Sequence, residues 1–122
     1  MTERLFTPED ANAELAELRE RLPRLRDARQ GLIAASERIT EAVTNDGGGV
    51  AVPEWFAHQQ TLRAELEYLA ERGILLRDAD AGLIDFPAER EGRRVFLCWR
   101  LGEGPVAYFH EERSGFNGRK PL

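Results

Sequence analysis

Along the first part of the chain, apolar residues recur at alternating steps of three and four. Leu15, Leu18, Leu22, Leu25, Leu32, Ile39 and Val43 form one seam, interrupted where Arg29 and Ser36 take its positions. That period is the signature of a long amphipathic helix with a heptad stripe. Its start is marked by Thr7-Pro8-Glu9-Asp10: a hydroxyl that can cap, a proline suited to the first helical position, and two acids that complement the positive end of the dipole. Pro23 lies inside the pattern and removes a backbone donor, so a kink or break is expected near Arg19 to Leu22. The run Asn45-Asp46-Gly47-Gly48-Gly49 is expected to end the helix, because Asn and Gly accept the left-handed conformation.

Pro53-Glu54 opens a second helix with the seam Trp55, Gln59, Leu62, Leu66 and Leu69, stopping at Gly73. Two such helices joined by a short Gly-rich turn form an antiparallel hairpin. At 1.5 Å per residue the first is about 55 Å long and the second about 30 Å, so the second is expected to cover only the Pro23 to Val43 part of the first. Leu15, Leu18 and Leu22 then need another cover, either the rest of the chain or a second subunit.

After Gly73 the period changes. Ile74-Leu75-Leu76, Leu83-Ile84-Asp85-Phe86, Val95 to Leu101 and Val106 to His110 read as short strands, separated by turn-forming runs rich in Gly and Asp. From Glu111 onward the chain reads as ordered coil anchored by Phe116. The expected fold class is α+β: a long antiparallel helical hairpin (1–73) followed by a small antiparallel β meander of three or four strands and an ordered C-terminal coil (74–122), in a single domain.

The 122 residues suit one domain, large enough to bury roughly two thirds of its unfolded surface. The apolar fraction of 42% and charged fraction of 32% are those of an ordinary soluble protein. No apolar run approaches the ~18 residues of a membrane span, and MTERLF is not the start of a secretory signal. A cytoplasmic protein with no membrane partner is expected. A net charge of −5 argues against nucleic-acid binding. Cys98 is the sole cysteine, so no intramolecular disulfide can form, and its apolar strand neighbours suggest a small buried hydrophobe.

The unusual residues gather in the last third. Strand alternation separates Val95, Leu97 and Trp99, the expected core face, from Phe96, Cys98 and Arg100. Which face His110 joins depends on the Gly102 to Pro105 turn: a tight register sets Cys98 opposite Tyr108 and Phe96 opposite His110, whereas a longer loop sets Trp99 opposite Tyr108 and Leu97 opposite His110. His110 with Glu111 or Asp85 could do acid-base work, since imidazole titrates near neutrality. Cys98, His110 and a carboxylate such as Asp85 or Glu103 could converge on a metal, but without CxxC, HExxH or a helical His pair no metal or cofactor is expected. Cys98 with His110 as nucleophile and base is disfavoured by the mid-strand position of the cysteine. Arg100, Arg113, Arg119 and Lys120 could clamp an anion or form a solvated network. Trp99, Phe109 and Phe116 could floor a pocket but are expected to be core, and His58 is expected to be packed or solvated.

The run GLIDFPAEREGRRVFLCWRLGEGPVAYFHEERSGFNGR, together with the FTPEDANAEL start, resembles the family of small bacterial and archaeal proteins known as domain of unknown function 2203. The matching positions include Gly82, Asp85, Phe86, Pro87, Gly92, Cys98, Trp99, Gly102, Glu103, His110, Gly115, Phe116, Gly118 and Arg119. The resemblance implies no established activity, substrate or cofactor. It also implies an Asp where this chain has Arg113, which counts against an acid-base or metal site here if that acid takes part.

The expected function is a non-enzymatic oligomerisation or interaction module, a homodimer with an unknown protein or small-molecule partner. The alternative is a small-ligand, anion or metal-binding site, or an enzymatic one, on the β module around Asp85, Arg100, Glu103, His110 and Arg119. Convergence of Asp85 and His110 in a cleft favours the alternative; separation favours the module.

Overall fold

The structure, a computed structural model, describes residues 3–45 and 51–122. Helix α1 spans Pro8–Asn45 and helix α2 Val52–Arg72. Five strands follow: β1 (Leu75–Asp78), β2 (Leu83–Arg90), β3 (Arg93–Arg100), β4 (Tyr108–Glu111) and β5 (Lys120–Pro121), with a 3₁₀ turn at Phe116–Gly118 before the last. They form one antiparallel sheet in chain order. The fold is α+β as expected, with one strand more than the meander foreseen, because part of the C-terminal coil pairs with β4. No helix among the described residues is long and apolar enough to cross a membrane.

The start of α1 is a reciprocal cap. The Asp10 N–H donates to the Thr7 hydroxyl and the Thr7 N–H donates to the Asp10 carboxylate, both at 3.0 Å, satisfying two donors that the helix leaves free. The break expected before Pro23 does not occur; α1 is continuous through it. One lost backbone bond is outweighed because Leu22 and Leu25, on either side of the proline, are fully buried. Asn45 is the last residue of α1; the rest of the foreseen stop, Asp46 to Gly49, lies outside the described residues. Gly73 closes α2 at φ 76°, its N–H reaching the carbonyls of Ala70 and Leu69.

The helices pair along Glu14 to Arg38 rather than Pro23 to Val43. Arg72 makes two bonds to Glu14 at 2.7 and 2.8 Å, Arg21 reaches Glu65 at 3.2 Å, the Trp55 indole N–H donates to Ser36, and Arg38 pairs with Glu54. The His58 ring packs over Gly31, where a Cβ would come within 2.5 Å of it. Leu15, Leu18 and Leu22 are covered by the sheet, not left open. They share one core with Ile84, Phe86, Val95, Leu97 and Trp99. Trp99 is fully buried, and its indole N–H donates to the Gly104 carbonyl at 2.8 Å.

Pairing in the sheet fixes its two faces. Ile84 lies opposite Trp99, Phe86 opposite Leu97 and Ala88 opposite Val95, all toward the helices. Asp85 opposite Cys98 and Pro87 opposite Phe96 therefore point to the other side. The strand β2 runs through Pro87, whose missing N–H is harmless because β1 pairs no further than Asp85 and the Phe6 N–H covers that edge, donating to the Pro87 carbonyl at 2.7 Å. Between β2 and β3 the chain reverses on Glu91 and Gly92, at φ 53° and 76°, the backbone of a tight two-residue hairpin.

Candidate functional site

The outer face of the sheet, away from the helices, is not an ordinary solvated surface. The pairing of β3 and β4 takes the tight register, Phe96 opposite His110 and Cys98 opposite Tyr108. This puts His110 on the same face as Asp85 and Cys98, and the segment from Glu111 to Arg119 folds over them. All three are buried, at 1%, 1% and 4% exposure for Asp85, Cys98 and His110. One ligand atom from each lies within 4.8 Å of the others.

The hydrogen bonds define the histidine's state. Its Nδ1 lies 2.8 Å from the Glu111 carbonyl oxygen. A carbonyl only accepts, so Nδ1 carries a proton. Its Nε2 lies 2.9 Å from Asp85 Oδ2. If the ring is neutral, Nε2 presents a bare lone pair to a carboxylate oxygen, an unfavourable contact unless a proton or another cation lies between them. Arg77 Nε donates to the same Asp85 Oδ2 at 2.8 Å. Asp85 Oδ1, equally buried, has no hydrogen-bond partner. Leaving such an atom unpaired costs about 1–3 kcal/mol.

Cys98 faces Asp85 across the β2–β3 ladder and sits beside Arg119. Burial, then the charge of Asp85, push its thiol up to about 11 against the opposing pull of Arg119. An unaided nucleophile needs the reverse. Arg77 lies at a register shift between Leu76 and Asp78, and a bulge of this kind re-aims a side chain beside a site. A cavity of about 240 Å³ opens next to the three residues, walled by Arg77, Leu83, Glu112, Gly115 and Phe116.

The other residues singled out from the sequence form a separate unit. Arg119 grips Glu103 through two bonds of 3.0 and 2.6 Å and stacks on Tyr108 and Phe116 at 4.1 and 4.2 Å. Glu103 also accepts the Arg100 N–H at 2.8 Å, while the exposed Arg100 guanidinium lies 5.3 Å from the Phe116 ring. The Arg119 side chain, and then the Arg100 N–H, hold the Glu103 carboxyl below its ordinary value. These contacts pin the C-terminal segment over the outer face. Arg113 is exposed and does not line the cavity. Arg77 is not among the candidates of the sequence: it follows directly on the apolar run Ile74-Leu75-Leu76 and carries no signal beyond its charge.

The described geometry rests on positions that also carry the family signature, and the family model for an uncharacterised conserved protein, domain of unknown function 2203, matches residues 4–122. The chain belongs to the domain of unknown function 2203 family. No curated protein and no solved structure matches the chain. Within this domain of unknown function 2203 protein, Asp85, Cys98 and His110 are brought together by strand pairing alone, Glu103 and Arg119 pair with each other, and Arg100 is exposed and does not line the cavity.

Proposed function

We propose that this protein binds a divalent transition-metal ion of the zinc class through Asp85, Cys98 and His110. The observation that carries the reading is the combination at Asp85 and His110: a buried carboxylate oxygen without a partner, and an imidazole whose Nδ1 proton is committed to the Glu111 carbonyl. A histidine that ligates through one nitrogen characteristically donates from the other to a carbonyl or carboxylate. A proton on Nε2 would relieve its contact with Asp85 Oδ2 but would leave Oδ1 without a partner, whereas a cation would draw on the carboxylate, the imidazole and the thiol together. A thiolate, an imidazole and a carboxylate suit zinc. Bond lengths of 2.0–2.3 Å place tetrahedral ligand atoms roughly 3.3–3.5 Å apart, so small side-chain rotations from the present spacing suffice. An unaided cysteine nucleophile is disfavoured by the raised thiol, which a coordinating metal would deprotonate. A reducing, cytoplasmic compartment fits the reading, because it keeps the sole cysteine free to ligate.

The test is calorimetric titration of chelator-treated protein with zinc. One ion per chain is expected, with Cys98→Ser and His110→Ala each weakening binding by at least about tenfold. Wild-type protein that takes up no zinc, or variants that bind as tightly as wild type, would overturn the proposal.

A second reading keeps the helical hairpin as a homodimerising module. It is favoured by Ile33 and Leu66, 44% and 41% exposed on one apolar groove, and by Phe56 at 59%. Light scattering showing a monomer across micromolar concentrations would remove it.

A further inference from the structure

We infer that the proposed metal site keeps an open coordination position, and that this position takes a small oxyanion, a carboxylate or phosphate, held on its other side by Arg77. The inference rests on the metal reading. Three protein ligands leave a four-coordinate ion one position short, the arrangement of catalytic rather than structural zinc. No fourth cysteine, histidine or carboxylate joins the group among the described residues. The cavity of about 240 Å³ adjoins the ligands. It falls below the ~300 Å³ at which sites for drug-sized molecules begin, which suits an ion or a short acid.

Charge around the cavity selects an anion. A divalent ion with one thiolate, one carboxylate and a neutral imidazole is electrically balanced, so Arg77 leaves the centre one charge positive. Glu112, also on the cavity wall, turns its carboxylate to Arg94, which it shares with Glu3 at 2.6 Å, whereas Arg77 is in direct contact with the ligand Asp85. Arg119 is committed to Glu103. Arg77 differs: Asp85 binds its Nε, while its two terminal nitrogens make no hydrogen bond in the described structure. The Asp85 bond and the Phe96 ring 5.1 Å away hold the guanidinium in place. A fixed guanidinium with free terminal N–H groups is matched to the paired oxygens of a carboxylate or phosphate. Phe116 and Leu83 supply an apolar wall for the remainder of a short acid.

The full-length chain loaded with cobalt(II) tests this, since a cobalt–thiolate charge-transfer band reports seating at Cys98 and the visible bands report the open position. Acetate and inorganic phosphate are titrated separately at saturating cobalt, with chloride as the ionic-strength control. A saturable shift of the visible bands by either oxyanion, absent with chloride, is expected, and the anion that gives it identifies the class. Arg77→Gln should weaken the response by about tenfold or more. Arg77→Lys, which keeps the charge but not the fork, should also fall below wild type. Cobalt seated with no response to either oxyanion, or Arg77→Gln and Arg77→Lys responding as wild type, overturns the oxyanion inference and leaves the metal reading standing. Absence of the thiolate band overturns both.

Discussion

His110 Nε2 lies 2.9 Å from Asp85 Oδ2, and the proton that the Glu111 carbonyl requires of His110 is on the far side of its ring, on Nδ1. The contact joins β4 to β2 across the intervening β3, so two residues 25 positions apart meet only because all three strands hold register.

Replacing Asp85 by Asn preserves the shape of the side chain and removes its charge. In zinc-free protein, Asp85→Asn should cost about 1–3 kcal/mol, from the weakened bond to Arg77 and a buried amide with imperfect partners. With zinc present the deficit should widen, because wild type is stabilised by mass action and the variant is not. Thermal melts with and without zinc check this; equal zinc-induced shifts in both proteins would exclude Asp85 as a ligand.

Cys98 should be inert in the native state. It is 1% exposed and its thiol is pushed up to about 11, so both access and thiolate fraction are low near neutrality. A colourimetric thiol reagent should react with it only as fast as the protein opens, and stoichiometrically in urea. Rapid labelling of folded protein would mean that the outer face is uncovered in solution.

The helices and the core strands were legible from periodicity. The heptad seam located α1 and α2, and alternation in Val95 to Leu101 placed Trp99 toward the core. Two features were not legible. Register between β3 and β4 depends on the Gly102 to Pro105 turn, and a shift of one residue would have carried His110 to the helix side. The burial of the outer face depends on the C-terminal segment returning to pair with β4, which the short, polar Lys120–Pro121 strand does not announce. Cys98, His110 and Asp85 could thus be named as candidates from the sequence, but their meeting rested on a register that only the fold decides. Of the kink or break expected at Pro23, the break is absent for a simpler reason: one missing hydrogen bond is a local penalty, and the burial of Leu22 and Leu25 is the larger quantity.

Trp99 should be the most sensitive core position. It is fully buried between sheet and helix, with the Arg19 guanidinium 5.7 Å from its ring. Trp99→Ala should cost on the order of 3–5 kcal/mol, enough to unfold a marginal domain. Trp99→Phe keeps most of the ring and loses the bond to the Gly104 carbonyl, about 1 kcal/mol plus some packing. Urea titration separates the two; a stable alanine variant would show that this part of the core collapses onto the gap.

The Glu103–Arg119 pair makes stability depend on acid in a direction that can be stated in advance. Arg119, and then the Arg100 N–H, hold the folded Glu103 carboxyl below its ordinary value. The ionised form is therefore favoured by folding, and its contribution is complete above the unfolded value, about 4.3. It is lost as the pH falls through the lower folded value. Urea unfolding free energies for wild type and Glu103→Gln should differ most above about pH 5 and approach each other as the pH falls toward about 3. Because these contacts pin the C-terminal segment over Asp85, Cys98 and His110, the variant should also label faster at Cys98 at neutral pH. Curves that stay parallel down to low pH, with unchanged Cys98 labelling, would mean that Phe116 and the β4–β5 pairing hold the segment without the ion pair.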